Sequence, residues 1–172
     1  MDVRLATTSR REVRSYTGDP LPDEVAERIL DAGRLAGSAS NRQPWTFLVP
    51  GSRERVERLA AAVFAPENVL GAALVVAVAV RGKGPTSFDA GRAAQNMLLQ
   101  AWADGVGACP NGISDPDAAR AALDVIDDDE RIVIVLGFGY AASPRNPSSR
   151  TPDEWSARAR RRPLDDVVRR LA

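Results

Sequence analysis

The sequence predicts one domain of the α/β or α+β class, in which helices are layered on a sheet. Two fully apolar segments are typical of buried strands, and amphipathic segments separate them. The length of 172 residues suits a single domain. Apolar residues make up 44% of the chain, charged residues 27%, and the formal net charge is zero, which is ordinary for a globular protein.

The first half of the chain predicts a helix, a strand and a second helix. Residues 22–36 place Val25 and Ile29 near helical spacing, with acidic residues early in the segment. Residues 45–49 are short, apolar and rich in strand formers. Ser52 is placed to cap a helix over 53–64.

The strongest predicted elements lie in the middle of the chain. Residues 72–80 have no polar face, which indicates a buried central strand. The segment 88–104 is apolar around too much of its circumference for a surface helix, so we expect it in the core or at a subunit interface. Residues 115–123 predict a helix opened by an acid and a proline, and 131–138 a second buried strand. Beyond it, the proline-rich residues 143–152 predict an extended arm, followed by a short helix around 167–171.

Missing residue types exclude several kinds of chemistry. The chain has no histidine, which excludes Ser-His-Asp and Cys-His catalysis and zinc sites of the His-Glu-x-x-His type. The single cysteine, Cys109, excludes a disulfide framework and any Cys-x-x-Cys site. If the protein is an enzyme, a bound cofactor is the natural source of its chemistry.

Four segments are candidates for a ligand site. Residues 9–14 contain three arginines; Ser9 and Glu12 also fit a capping box, and in a helix Arg10 and Arg14 would share a face suited to a dianion. Residues 37–45 carry small and amide side chains. This pattern indicates either the end of a helix followed by a turn, or donors and acceptors for a flat heteroaromatic ligand. Residues 105–112 hold three glycines, which allow backbone to approach a ligand closely. Residues 158–164 hold an arginine cluster that is either solvated or held out to reach a ligand.

Taken together and in this order, the four segments resemble the nitroreductase family of FMN enzymes. The family opens with Arg-Arg-Ser-x-Arg and an aromatic residue, where this chain has Arg10–Arg14 and Tyr16; Glu12 replaces the usual serine. It continues with Pro-Ser-x-x-Asn-x-Gln-Pro-Trp, which Gly37–Trp45 matches apart from its first residue. Next follow a helix containing Gln-Asn, here Gln95 and Asn96, a Gly-x-Gly loop, and a basic-Pro-Leu tail.

The resemblance implies an α+β fold of three layers, with helices around a central, mostly antiparallel sheet. It implies a single FMN-binding domain over 1–172, with 143–172 as an extended C-terminal arm, and a homodimer with shared active sites. The arginines of residues 10–14 would hold the FMN phosphate and ribityl chain, the segment around 38–43 would come from the partner subunit, and the loop at 110–112 would place a backbone donor near flavin N5. The cofactor-binding residues expected are Arg10, Arg11, Arg14, Ser38, Ala39, Ser40, Asn41, Gln43, Pro110, Asn111, Gly112, Arg160, Arg161 and Arg162.

The function implied by the resemblance is an FMN-dependent oxidoreductase that takes hydride from NAD(P)H and reduces a small acceptor such as a nitroaromatic or a quinone. The flavin would carry the chemistry, with no catalytic side chain and no metal. Two alternatives are a flavin-dependent biosynthetic dehydrogenase and a protein that binds flavin or deazaflavin without turnover. Zero net charge argues against a nucleic-acid partner. The start of the chain has no signal-peptide pattern and its longest apolar run is too short to cross a bilayer, so we expect a cytoplasmic protein without a membrane partner.

Overall fold

The computed structural model describes residues 1–171, which form two units: residues 11–144, and residues 1–10 together with 145–171. We call these the larger and the smaller unit. In chain order the helices and strands are α1 Val3–Ser9, α2 Asp23–Arg34, β1 Trp45–Leu48, α3 Arg53–Ala61, α4 Pro66–Leu70, β2 Leu74–Val80, α5 Thr86–Ala103, β3 Gly107–Asn111, α6 Pro116–Ala122, β4 Arg131–Gly139, α7 Pro152–Arg158 and α8 Leu164–Val167.

The larger unit is built on a four-stranded antiparallel sheet with the strand order β1-β2-β4-β3. Leu74 of β2 pairs with Phe138 of β4, and Asn111 of β3 pairs with Val135 of β4. The strands predicted over 45–49, 72–80 and 131–138 are confirmed, as is the α+β class. The treatment of 105–112 as a loop was wrong, because its middle residues form the edge strand β3.

The central strand β2 is buried on both faces. Val76, Val78 and Val80 pack into a core with α2 and α5, whereas Val75 and Ala77 on the opposite face pack against α3, α4 and α6. Successive strand residues point to opposite faces, so an uninterrupted apolar strand requires helices on both sides. Helices therefore cover both faces of the sheet, as the family resemblance implies.

The helices of the larger unit follow the predicted pattern closely. Helices α2, α3, α5 and α6 lie within or within two residues of their predicted ranges. Ser52 caps α3 by accepting a hydrogen bond from the Arg55 amide, and Asp115 caps α6 in the same way. The short helix α4 was not predicted. Helix α5 is buried along most of its length but leaves Phe88 and Arg92 exposed.

The smaller unit joins the two ends of the chain. Helix α7 begins with a capping box between Thr151 and Glu154 and packs against α1, where Arg4 forms an ion pair with Asp153. Trp155 is buried, and its indole N–H donates to the Pro147 carbonyl at 2.7 Å. The last helix lies at Leu164–Val167, whereas the sequence predicted it around 167–171. The prediction of one domain over 1–172, with 143–172 as its arm, stays a prediction.

Neither a membrane span nor a metal-binding cluster is found among residues 1–171. No helix in this range is long and apolar enough to cross a bilayer. No group of three or more cysteine or acidic side chains is arranged there to hold a metal ion.

Candidate functional site

The arginine-rich segment that follows α1 is extended. Ser9 is the last residue of α1, and its hydroxyl donates to the Leu5 carbonyl at 2.6 Å. The capping-box interpretation of Ser9 and Glu12 was therefore wrong, because the helix ends where that pattern would begin one. Arg10 and Arg14 do not share a helix face.

Residues 11–14 lie along the outer edge of β3. Glu12 forms a parallel bridge with Ala108, and the Val13 amide donates to the Ala108 carbonyl at 3.0 Å. Gly107 makes this approach possible, since a Cβ on it would lie 2.7 Å from the Cβ of Val13. The first and third candidate segments are thus side by side, although 95 positions separate Glu12 from Gly107.

Tyr16 fixes the far end of this segment. Its hydroxyl donates to the Gly137 carbonyl at 3.1 Å, and its backbone pairs with Ala141. Burial raises the pKa of the Tyr16 phenol well above its ordinary value; the charges of Cys109 and Glu12 raise it further, and Arg14 opposes them. Tyr16 is therefore a neutral hydrogen-bond donor at physiological pH.

Arg14 is a cation that the protein itself does not neutralise. Its side chain is exposed and forms no hydrogen bond or ion pair with any residue in the range 1–171. Arg11 beside it is half-buried. A guanidinium held on a fixed backbone segment suits a phosphate, because its planar fork can pair two oxygens at once.

Asn111 at the end of β3 holds its side chain in a buried polar network. Its amide donates to the carbonyls of Cys109 at 3.0 Å and Val135 at 3.3 Å, and its oxygen accepts from Asn68 at 3.0 Å. The side chain is thus committed to the protein rather than to a ligand. Asn68 was missed by the sequence analysis, since a single asparagine in an unpredicted short helix carries no pattern.

The loop before β1 adopts a conformation that its residues rarely take. Ser40, Asn41 and Gln43 have φ of 52°, 53° and 49°, in the left-handed region that costs a non-glycine residue of order 1 kcal/mol or more. The Ser38 hydroxyl accepts from the Gln43 amide at 2.8 Å, and the buried Asp89 carboxylate accepts from the Ala39 amide at 3.1 Å. These contacts hold the loop so that the side chains of Ser40, Asn41 and Gln43 are exposed. The role of Asp89 as an anchor was also missed.

The larger unit does not bring its two groups of candidate residues together. The 38–43 loop leads into β1 at one edge of the sheet, whereas Arg11, Arg14 and Asn111 lie at the β3 edge. Trp45 and Glu12 are four strand spacings and about six residues of strand apart. At ~4.8 Å per strand and ~3.4 Å per residue, this separation is roughly 28 Å.

The remaining candidates belong to the smaller unit. Arg10 follows α1 and is half-buried, while Arg160, Arg161 and Arg162 follow α7 and are exposed. Arg160 has φ of 50°, and Arg162 donates to the Asp166 carbonyl at 2.6 Å.

The chain belongs to the nitroreductase family, whose model matches residues 7–83 and 72–140. A protein of Archaeoglobus fulgidus, provisionally named NADH dehydrogenase/NAD(P)H nitroreductase, is 33% identical over 141 residues, which cover 77% of this chain and 81% of the relative. The structure of a nitroreductase family protein from Clostridium difficile 630 is 24% identical, with a TM-score of 0.82 and coverage of 98% of both chains. The structure of an oxidoreductase containing FMN is 28% identical, with a TM-score of 0.78, and the match covers 98% of this chain and 91% of that one.

Proposed function

We propose that this protein is an FMN-dependent oxidoreductase that takes hydride from NAD(P)H and reduces a small acceptor such as a nitroaromatic or a quinone. Membership of the nitroreductase family, the name of the archaeal relative and the FMN in a 28% identical structure support this function. The structural observation that carries the proposal is the arginine segment 11–14, which is held along β3 and leaves the Arg14 guanidinium exposed.

The donor groups of this segment fit FMN. Arg14 would pair with the phosphate, and Arg10 and Arg11 would complete the cationic end of the site. Arg160, Arg161 and Arg162 are proposed to close on the phosphate and ribityl chain. Glu12 adds a negative charge to the same segment, which weakens its attraction for a dianion without reversing it, because three arginines flank one carboxylate.

The protein would orient the flavin rather than react with it. When bound, FMN supplies the hydride-accepting and hydride-donating chemistry. The backbone at Pro110, Asn111 and Gly112 would face the ring; Pro110 has no N–H, so the donor would be Asn111 or Gly112. The buried network of Asn68 and Asn111 keeps this backbone in place. Tyr16 retains its proton and Cys109 is buried, so neither is suited to act as a general base.

We further propose a homodimer in which each flavin site uses both chains. Ser38, Ala39, Ser40, Asn41 and Gln43 would contact the flavin held by the partner's arginine segment. The separation of roughly 28 Å between the two groups within one chain supports this arrangement, since one small cofactor cannot contact both ends of it. The strain held in the exposed 38–43 loop supports a ligand-binding role for it. A cytoplasmic location stays a prediction.

An absorbance spectrum and anaerobic titration test the function. We expect purified or FMN-reconstituted protein to show flavin bands, and NADH or NADPH to bleach them. Re-oxidation by a nitroaromatic or quinone would complete the cycle. Bound flavin that neither nicotinamide reduces would favour the binding-protein alternative. Slow nicotinamide oxidation, with the flavin reduced instead by an oxidisable substrate and re-oxidised by oxygen, would favour the biosynthetic dehydrogenase.

A hybrid dimer tests the shared site. Arg14→Ala and Asn41→Ala homodimers should each bind FMN weakly. A hybrid of one Arg14→Ala and one Asn41→Ala chain would contain one site with both wild-type halves, so tight FMN binding should return at half the wild-type stoichiometry. Sites confined to single chains would leave the hybrid as weak as its parents. Light scattering should give a dimer, with an interface of about 2,000 Å² or more.

A further inference from the structure

A cleft lies between the 38–43 loop and the start of α5. It has a volume of about 430 Å³ and is formed wholly within the larger unit, by residues that include Ala39, Gln43 and Trp45 on one side and the turn at 81–85 on the other. Ala39 and Gln43 are predicted cofactor-binding residues, but the predicted cofactor site does not include Arg42 or the turn at 81–85. Its wall includes the loop that we assign to the flavin of the partner subunit, so a molecule in the cleft would lie next to that loop.

Two cations stand on the rim of the cleft. Gly82 and Gly84 have φ of 82° and 104°, a left-handed backbone that glycine adopts without strain, and the turn they form carries Lys83, the only lysine in the chain. From the other wall, the guanidinium of Arg42 comes within 3.9 Å of the position that a Cβ on Gly84 would occupy. The Arg42 guanidinium therefore lies next to the turn that carries Lys83.

These two cations have no side-chain partners among the described residues 1–171, in contrast to Arg81, the third cation of the cleft. Arg81 is committed to Asp127 at 2.5 Å and to Glu130 at 2.8 Å. The side chains of Lys83 and Arg42 form no hydrogen bond or ion pair with any of the residues 1–171. We define these as the free rim cations.

Two carboxylates line the cleft, and only one of them is available to oppose an anion. Asp89 is buried, accepts the Ala39 amide at 3.1 Å and lies 3.9 Å from Arg92. Asp129 is exposed on the rim and carries the one uncompensated negative charge among the lining residues. The first residues of α5, an 18-residue helix with no side-chain cap, add the positive end of a helix dipole. The lining residues themselves comprise three cations and two carboxylates, a net positive charge that favours an anion.

We propose that this cleft binds an anionic group, a phosphate or a carboxylate, on the molecule that exchanges electrons with the flavin, and that Lys83 and Arg42 select for that group. That the ligand is a molecule which exchanges electrons with the flavin rests on the proposed function. That the ligand is an anion rests on the residues of the cleft alone. One source of the group is the 2′-phosphate that distinguishes NADPH from NADH. The other is a carboxylate on an aromatic acceptor.

Calorimetry with two matched pairs of ligands tests the selection without turnover. The pairs are NADP⁺ against NAD⁺, and 4-nitrobenzoate against 4-nitrobenzamide. We expect the wild-type protein to prefer the anionic member of one pair, and that pair identifies the source. Lys83→Met and Arg42→Met should each reduce the preference up to about fivefold, the range for exposed ion pairs, and Asp129→Asn should increase it. Arg58→Met removes an exposed charge on α3 and should leave the preference for the anionic ligand unchanged.

The outcomes separate this proposal from the proposed function. Equal affinity for both members of both pairs overturns the cleft assignment. A preference for the anionic ligand that is unchanged in Lys83→Met and Arg42→Met also overturns it, and so does a preference that falls in Asp129→Asn. Flavin-loaded, active protein with no charge preference would refute the cleft assignment alone. Protein that binds no flavin but keeps the preference would refute the proposed function and leave the anion site standing.

Discussion

Gly107→Ala should loosen the arginine segment from the sheet. A Cβ at this position would lie 2.7 Å from the Val13 Cβ and 2.8 Å from both of its methyl carbons. Those atoms sit close to the backbone and cannot swing away as the end of a long side chain could. The segment must therefore shift, and the Val13 amide would lose its 3.0 Å hydrogen bond to Ala108.

The expected cost follows from two opposing effects. Overpacking of this kind costs about 1–3 kcal/mol. Replacing glycine by alanine reduces the entropy of the unfolded chain, which offsets about 0.4–1 kcal/mol of that cost. The net loss in the free energy of unfolding is then about 1–2 kcal/mol, or a fall in Tm of roughly 3–6 °C for a chain of this size. Arg14 follows Val13 directly, so FMN affinity should fall about tenfold as the guanidinium moves.

Urea unfolding and FMN titration at matched protein concentration measure both effects. Gly91→Ala is the control, because nothing lies within 4 Å of a Cβ at this exposed helical position and the substitution should stabilise α5. Adding Val13→Ala to Gly107→Ala should relieve part of the clash, so the two changes should couple favourably. A Gly107→Ala protein as stable as wild type, or no coupling with Val13→Ala, would refute the reasoning.

Three further predictions concern single side chains. Arg14→Ala should weaken FMN binding by roughly one to two powers of ten, since a charge-assisted bond contributes ~1.5–3 kcal/mol, and should leave riboflavin binding unchanged; equal losses for both ligands would remove Arg14 from the phosphate site. The raised pKa of Tyr16 means that the folded chain keeps a proton that the unfolded chain loses near pH ~10, so stability should fall as pH rises above that value. Tyr16→Phe should flatten this dependence in unfolding experiments, and an unchanged pH profile would contradict the assignment. Cys109→Ala should change the rate of flavin reduction less than about tenfold, because the thiol is buried and not needed as a nucleophile; a loss of several powers of ten with flavin still bound would show the opposite.

Much of the sheet and its helices could be predicted from local patterns. The uninterrupted apolar run of β2 has one stable placement, between two layers of helices, and the structure confirms it. The spacing of the apolar residues in α2 and α5 predicted both helices. The four motif segments, in order along the chain, were enough to indicate the family, because a motif depends on residue identity and sequence order rather than on the fold.

Other features depended on contacts between distant parts of the chain. Ser9 and Glu12 satisfy a local capping rule, yet the backbone there pairs with Ala108, and this long-range pairing outweighs the local preference. The residues of β3 are poor strand formers and include Pro110, which has no N–H to donate. They form a strand because β3 lies at the sheet edge, where proline is tolerated, and pairs with β4.

The chemical assignments divide in the same way. Residue types and their order determined that arginines, amides and glycines would form the candidate site and that no histidine could take part. Only the tertiary structure decided that the Asn111 side chain is tied to Asn68 and that Asp89 anchors the strained loop. It alone placed the two candidate groups at opposite edges of the sheet and brought Lys83 and Arg42 to one cleft. The physical reason is that a residue's type sets what it can bind, whereas its neighbours in space are set by strand pairing and packing between segments far apart in sequence.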